Sequence, residues 1–182
     1  VNGRKVLFTG NEGLDEMVRR MVALCGENQL MELMEFTIRV YGILTDVGRG
    51  VLVSDEAEYG MRFTKFPGGG MKPGEGTVDC LIREWMEELG QQISVKEHLY
   101  TTDFFQPSAF HQHKQLISIY YYVEKVNEPA KKISTIPFDF SDEAECAQSV
   151  RWMAWNEFTP EALTFPVDKL VARMILQTRP SL

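Results

Sequence analysis

Residues 69–91 read GGMKPGEGTVDCLIREWMEELGQ, and the reading of this stretch decides the fold. Thr77 is a plausible helix N-cap and Gly90 a stop, which predicts a helix ending at about Leu89. At about 100° per residue, Val78, Leu81, Ile82, Trp85 and Leu89 share one face, which goes to the core. Glu84, Glu87 and Glu88 share another arc, at i, i+3 and i+4, so that their carboxylates can converge outside the helix. Acids grouped so tightly repel one another unless a cation sits against them. Magnesium suits such a group, because it takes hard oxygen ligands and keeps positions for water and phosphate oxygens. Arg83 can pair with one of the acids, and Cys80 lies near the carboxylate face as a small packing residue. A solvated acidic face would explain three glutamates. It does not explain the glycine run before the helix, or Glu75 at its fixed distance.

Outward from this helix the chain reads as strands. Upstream, residues 36–44 are rich in β-branched and aromatic side chains, residues 46–50 form a turn, and residues 50–54 form a second strand. The polar residues 56–60 read as a loop, and Arg62 to Phe66 as a strand running into the Pro67-Gly68-Gly69-Gly70 loop, where backbone can approach a ligand closely. Downstream, residues 93–105 are strand-like with a break near Glu97, residues 115–126 are the strongest strand, and residues 149–155 are the last. Pro160 is a helix start, and residues 167–177 an amphipathic closing helix. This order predicts an α/β or α+β sandwich with a mixed β-sheet. Before it, residues 1–35 form a helical N-terminal extension, with apolar residues at helical spacing from Leu14, and residues 36–182 form the main domain.

The bulk composition excludes some functions. The chain has 182 residues, 44% hydrophobic and 25% charged, enough for one ordinary core. The net charge of −7 opposes nucleic-acid binding, since a phosphate backbone would be repelled. Small phosphate-bearing substrates stay compatible with it, because a metal neutralises a carboxylate site locally. Neither an apolar run of membrane-spanning length nor a signal-peptide pattern at Val1 is seen, so no membrane partner is expected. Cys25, Cys80 and Cys146 are scattered and odd in number, which favours a reducing, cytoplasmic setting.

Gly69, Glu75, Arg83, Glu84, Trp85, Glu87, Glu88 and Gly90 match the pattern G-x5-E-x7-R-E-U-x-E-E-x-G-U, with U a bulky apolar residue. In this the chain resembles the Nudix hydrolases. Gln91 stands where the last apolar residue is expected, a position that packs rather than reacts. The flanking strands are similar to the family's α/β/α sandwich. The resemblance implies hydrolysis of a nucleoside diphosphate linked to another moiety, by water attack on phosphorus with Mg2+, or Mn2+ in its place. It implies Glu84, Glu87, Glu88 and the Gly68 carbonyl as metal ligands, and Gly69, Glu75, Arg83 and Gly90 as supporting groups. A general base is implied within the box, at Glu87 or Glu88, or in a loop before the last strand. Asp142, Glu143 and Glu145 lie in such a loop, with Glu143 and Glu145 as the candidates.

Pro107 follows Gln91 by sixteen residues, an offset that in this family marks the ADP-ribose pyrophosphatase group. Phe104, Phe105 and Phe110 surround it, and Phe105 is the candidate to stack on a base or ribose. Arg39, Arg62 and Lys65 lie on strands leading to the box, and each could contact phosphate. His111 and His113 alternate as on a strand. A small nucleotide, ADP-ribose or an ADP-sugar first, is the expected substrate. Clean-up of nucleoside triphosphates and non-catalytic ligand sensing are the alternatives. The family's ADP-ribose enzymes are commonly dimers, so a homodimer through the N-terminal segment is compatible with the resemblance.

Overall fold

The computed structural model describes residues 35–111, 113–140 and 147–178. Residues 1–34 of the expected N-terminal helical extension and the loop acids Asp142, Glu143 and Glu145 lie outside the described residues, while Glu35, expected in that extension, begins the first strand. Eight strands follow in order: β1 (Glu35–Ile43), β2 (Thr45–Asp46), β3 (Gly50–Glu58), β4 (Met61–Lys65), β5 (Gly68–Gly70), β6 (Ile93–Thr101), β7 (Lys114–Lys125) and β8 (Ala147–Met153). Helix α1 (Thr77–Leu89) separates β5 from β6, and helix α2 (Pro166–Thr178) closes the chain after a 3-10 turn at Pro160–Ala162.

The strands form two four-stranded sheets. One has the order β5-β1-β7-β6 and is mixed, since β1 and β7 run parallel while β5 and β6 pair antiparallel with their neighbours. In the other, β3 pairs with β2 and β4 on one edge and with β8 on the other. Successive side chains on a strand point to opposite faces, and here both faces are covered. Tyr41, Val51, Val53, Tyr120 and Met153 pack with Val171 and Ile175 of α2. Their neighbours Val40, Leu52, Val123 and Trp152 pack with Leu81, Trp85 and Leu89 of α1. The buried stretches of β1 and β3, residues 40–43 and 51–53, therefore lack a polar face and read as continuous apolar runs. This is the expected α/β sandwich with helices on both sides.

Several local expectations change. Residues 56–58 are not loop: β3 continues through Glu58, because β4 and β8 both pair with this end of it. Helix α1 takes Gly76, not Thr77, as its N-cap. The buried side chains of α1 are Cys80, Leu81, Trp85 and Leu89, whereas Val78 and Ile82 are 43% and 38% exposed. The inward face is thus turned toward Cys80, whose thiol burial pushes up to about 12. Gly90 ends the helix in the left-handed region, at φ 60°. Gln91 is buried, and its side-chain amide donates to the Asn127 carbonyl at 2.9 Å. The break near Glu97 is a register shift between Val95 and His98. His111 and His113 do not lie on a strand: His113 is a turn residue at φ 69° just before β7.

Candidate functional site

The site is built where the short glycine strand β5 meets α1. Gly68 has φ 133°, and a Cβ there would fall 2.2 Å from the Val40 carbonyl oxygen, so no other residue fits. At Gly69 a Cβ would fall 2.3 Å from Glu84 Oε2. The missing side chain is what lets the Glu84 carboxylate lie against the backbone. Gly68 N–H donates to Glu88 Oε2 at 3.1 Å. Glu84 and Glu88, stacked at i and i+4, thus both face the glycine strand.

They line one cavity of about 330 Å³, together with Gly68–Gly70, Arg39 of β1, Glu56 and Glu58 of β3, Lys65 of β4 and Gln148 of β8. Lys65 Nζ donates to the Gly68 carbonyl at 2.7 Å and lies 2.8 Å from Glu56 Oε1 and 3.7 Å from Glu88 Oε1. Burial alone would lower the Lys65 ammonium's pKa, but Glu88 and Glu56 outweigh it and hold it above the usual lysine range. Burial raises the Glu88 carboxyl, with Lys65 acting against that rise. Gln148 Nε2 reaches Glu88 Oε1 at 2.8 Å and Glu56 Oε1 at 3.1 Å, joining the two carboxylates.

Glu87 does not enter this cavity. Its side chain is 54% exposed and pairs with Arg83 at 3.1 Å and Lys72 at 3.6 Å. The reason is angular, since successive helical residues are about 100° apart and Glu87 and Glu88 straddle Glu84. Arg83 is the hub of the outer half. Its guanidinium donates to both oxygens of Glu75 at 2.9 and 2.7 Å, to Glu84 Oε1 at 2.7 Å and to the Gly70 carbonyl at 3.1 Å. The Arg83 hydrogen bonds, with the Lys72 N–H, hold the Glu75 carboxyl down to about 2. Glu75 and Arg83 thus tie the loop, the glycine strand and the helix together.

Among the described residues, no three His, Cys, Asp or Glu side chains form a group ready to hold a metal ion. The donors nonetheless suit a hard cation. Glu84 and Glu88 offer carboxylate oxygens to one cavity, and Gly69 leaves space beside Glu84 that a Cβ would fill. The expected substrate residues sit elsewhere. Pro107 is buried and bridges to Gln115, and Phe105 beside it is half-buried. Arg39 and Lys65 reach the cavity, whereas Arg62 lies over the rings of Phe138 and Phe140. Sequence reasoning missed Glu56 and Gln148. Glu56 was hidden by its polar surroundings, and Gln148 carries no sequence signal.

The family model for the NUDIX domain matches residues 35–174. The chain belongs to the NUDIX family. A comparison with curated proteins finds no match. Among solved structures, the fold is similar to that of a NUDIX hydrolase from Nitrosomonas europaea, with a TM-score of 0.59 and 16% identity over 81% of this chain and 94% of that one. It is similar to the E. coli ORF135 protein, with a TM-score of 0.55 and 22% identity over 81% of this chain and 96% of that one. A UDP-X diphosphatase gives a TM-score of 0.55 and 13% identity, over 93% of this chain and 85% of that one. These likenesses concern the fold. NUDIX membership brings the general activity, hydrolysis of a pyrophosphate bond in a small nucleotide substrate with a divalent metal ion. No helix among the described residues is long and apolar enough to cross a membrane.

Proposed function

We propose that this NUDIX protein is a Mg2+-dependent hydrolase of a nucleoside diphosphate linked to another moiety, with ADP-ribose or an ADP-sugar as the preferred substrate. The observation that carries the activity is the meeting of Glu84 and Glu88 with the Gly68–Gly70 backbone in one cavity that also holds Arg39 and Lys65. Glu84 and Glu88 would hold the metal in the cavity, and Glu87 would join them as a further ligand by turning from its partners Arg83 and Lys72. Mg2+, or Mn2+ in its place, supplies Lewis acidity toward diphosphate oxygens and lowers the pKa of water. Arg39 binds and orients the diphosphate. Arg83 keeps Glu84 facing the glycine strand through its contact at 2.7 Å. Glu88 takes the proton of the attacking water, a task that suits a carboxylate whose burial raises its proton affinity. As the new oxygen–phosphorus bond forms, the bridging P–O bond breaks and the leaving phosphate departs as an anion. Glu143 and Glu145 are the candidates for an additional base. The preference for ADP-ribose is supported by Pro107 at its offset from the box, with Phe105 as the stacking residue, in a cytoplasmic enzyme.

The test is a substrate panel with Mg2+: ADP-ribose, ADP-glucose, NADH, coenzyme A, diadenosine polyphosphates and the nucleoside triphosphates. ADP-ribose or ADP-glucose is expected to turn over fastest, with release of AMP. Dominant turnover of triphosphates would replace this substrate assignment with the clean-up activity. Tight ADP-ribose binding without turnover would make the protein a sensor.

A further inference from the structure

Lys65 ends β4, where the strand alternation sends Phe66 into the core beneath α2 and Lys65 to the α1 side. Its side chain is only 3% exposed. Around its Nζ stand the Gly68 carbonyl at 2.7 Å, Glu56 Oε1 at 2.8 Å and Glu88 Oε1 at 3.7 Å, with the Tyr41 ring centroid at 5.6 Å. Two carboxylates and a carbonyl are the donors that a hard cation takes. Here an ammonium holds them.

We propose that Lys65 is a resident counter-cation that takes the place of one divalent metal ion, so that the substrate-free site binds a single metal ion, on the side of Glu84 and of the Glu88 oxygen, Oε2, that faces the glycine strand. The inference rests on the reading of this cavity as a metal centre. Two further observations support it. The charged side chains lining the cavity are Glu56, Glu58, Glu84 and Glu88 against Arg39 and Lys65, an excess of two negative charges. One divalent ion offsets that excess and a second would leave two positive charges uncompensated, whereas without Lys65 the excess is three and a second ion would leave only one. In addition, Mg2+ approaches its oxygens to about 2.0–2.1 Å. An ion on the Gly68 carbonyl and Glu56 would therefore press against the ammonium that shares them, and like charge excludes it. Gln148 then keeps Glu56 and Glu88 in place on either side of the lysine.

The test counts bound Mn2+ in the substrate-free full chain, by equilibrium dialysis and the electron paramagnetic resonance signal of free Mn2+. Wild type and Lys65→Arg are expected to bind one ion and Lys65→Gln two, because the neutral amide releases the Gly68 carbonyl and Glu56. Glu56→Gln is expected to keep one ion with Kd within about threefold of wild type, since Lys65 and not the metal neutralises Glu56. One ion in both wild type and Lys65→Gln, at unchanged affinity, overturns the inference alone. So does a wild type that binds two, or a Glu56→Gln variant weakened by more than about tenfold. A wild type that binds no Mn2+ overturns both the inference and the metal-centre reading. Should Lys65→Gln fail to fold, as judged by circular dichroism, the Lys65→Arg and Glu56→Gln counts and affinities decide.

Discussion

Asp55 and Glu56 are neighbours on β3, and their surroundings could hardly differ more. Asp55 points to the α2 side and is fully buried. It accepts from Arg151 Nε at 2.6 Å, Thr64 Oγ1 at 2.7 Å and the Phe138 N–H at 2.9 Å. These donors come from β8, β4 and the loop near Phe138, so the carboxylate ties scaffold to scaffold. Glu56 points to the α1 side and into the cavity, against Lys65 and Gln148. A buried carboxylate that is saturated with donors is closed to chemistry. One that lines a cavity beside three other glutamates is open to a ligand. Residue type and position in the chain are nearly the same, and the period-2 geometry of the strand decides between them.

The scaffold role of β3 is tested most directly at Asp55. Asp55→Asn leaves the Arg151 charge buried without its partner, and is expected to lower stability by about 3–5 kcal/mol in urea denaturation. A loss of turnover without this loss of stability would place Asp55 with the site instead. On the open side, Glu88→Gln is expected to lower turnover about 100- to 1000-fold with little change in Tm, the size seen when a charge-stabilising group is removed. Near-normal hydrolysis by this variant would remove Glu88 from the mechanism. Glu87→Gln is expected to lower turnover strongly too, and its ratio to the Glu88→Gln loss measures how far Glu87 joins the metal in solution.

A third carboxyl sharpens the contrast. Asp168 of α2 is buried and accepts from Tyr120 Oη at 2.8 Å. Burial raises its pKa to about 7. The folded state therefore keeps a proton that the unfolded state releases near its ordinary value, and stability falls as pH rises from about 4 to about 7 and then levels. Asp168→Asn should remove this contribution. Its stability relative to wild type is expected to grow across that window by about 2–4 kcal/mol, read from denaturation at pH 4 to 8. A difference that does not vary with pH would show that Asp168 ionises normally in the fold. Smallest of all, Gln148→Ala is expected to cost less than about 1 kcal/mol of stability, because its bonds lie at a cavity rim open to water.

The box helix was legible in the sequence because caps, period and charges agreed there. The rotation of that helix was less so. Leu81, Trp85 and Leu89 repeat at i, i+4 and i+8, and so do Val78, Ile82 and Met86. Both stripes are apolar, and only the packed sheet shows that the first is inside and the second is partly exposed. Glu56 was illegible for a different reason. The run after Asp55 is short and leads into Gly60, so it reads as a loop, and its strand conformation comes from pairing with β4, which follows directly, and with β8, which is distant in sequence. The same holds for Gln148, whose role depends on where β8 lands.

The parallel pairing of β1 with β7 sets Glu35 opposite Lys114 and Ile43 opposite Tyr122, with the whole box in the intervening loop. Contacts so far apart in the chain close late, because a long loop must be ordered before they form. On the ribosome the three box glutamates emerge well before β7, and Gln148 emerges later still. A nascent chain that already carries every box residue therefore has no finished cavity until synthesis has passed β8.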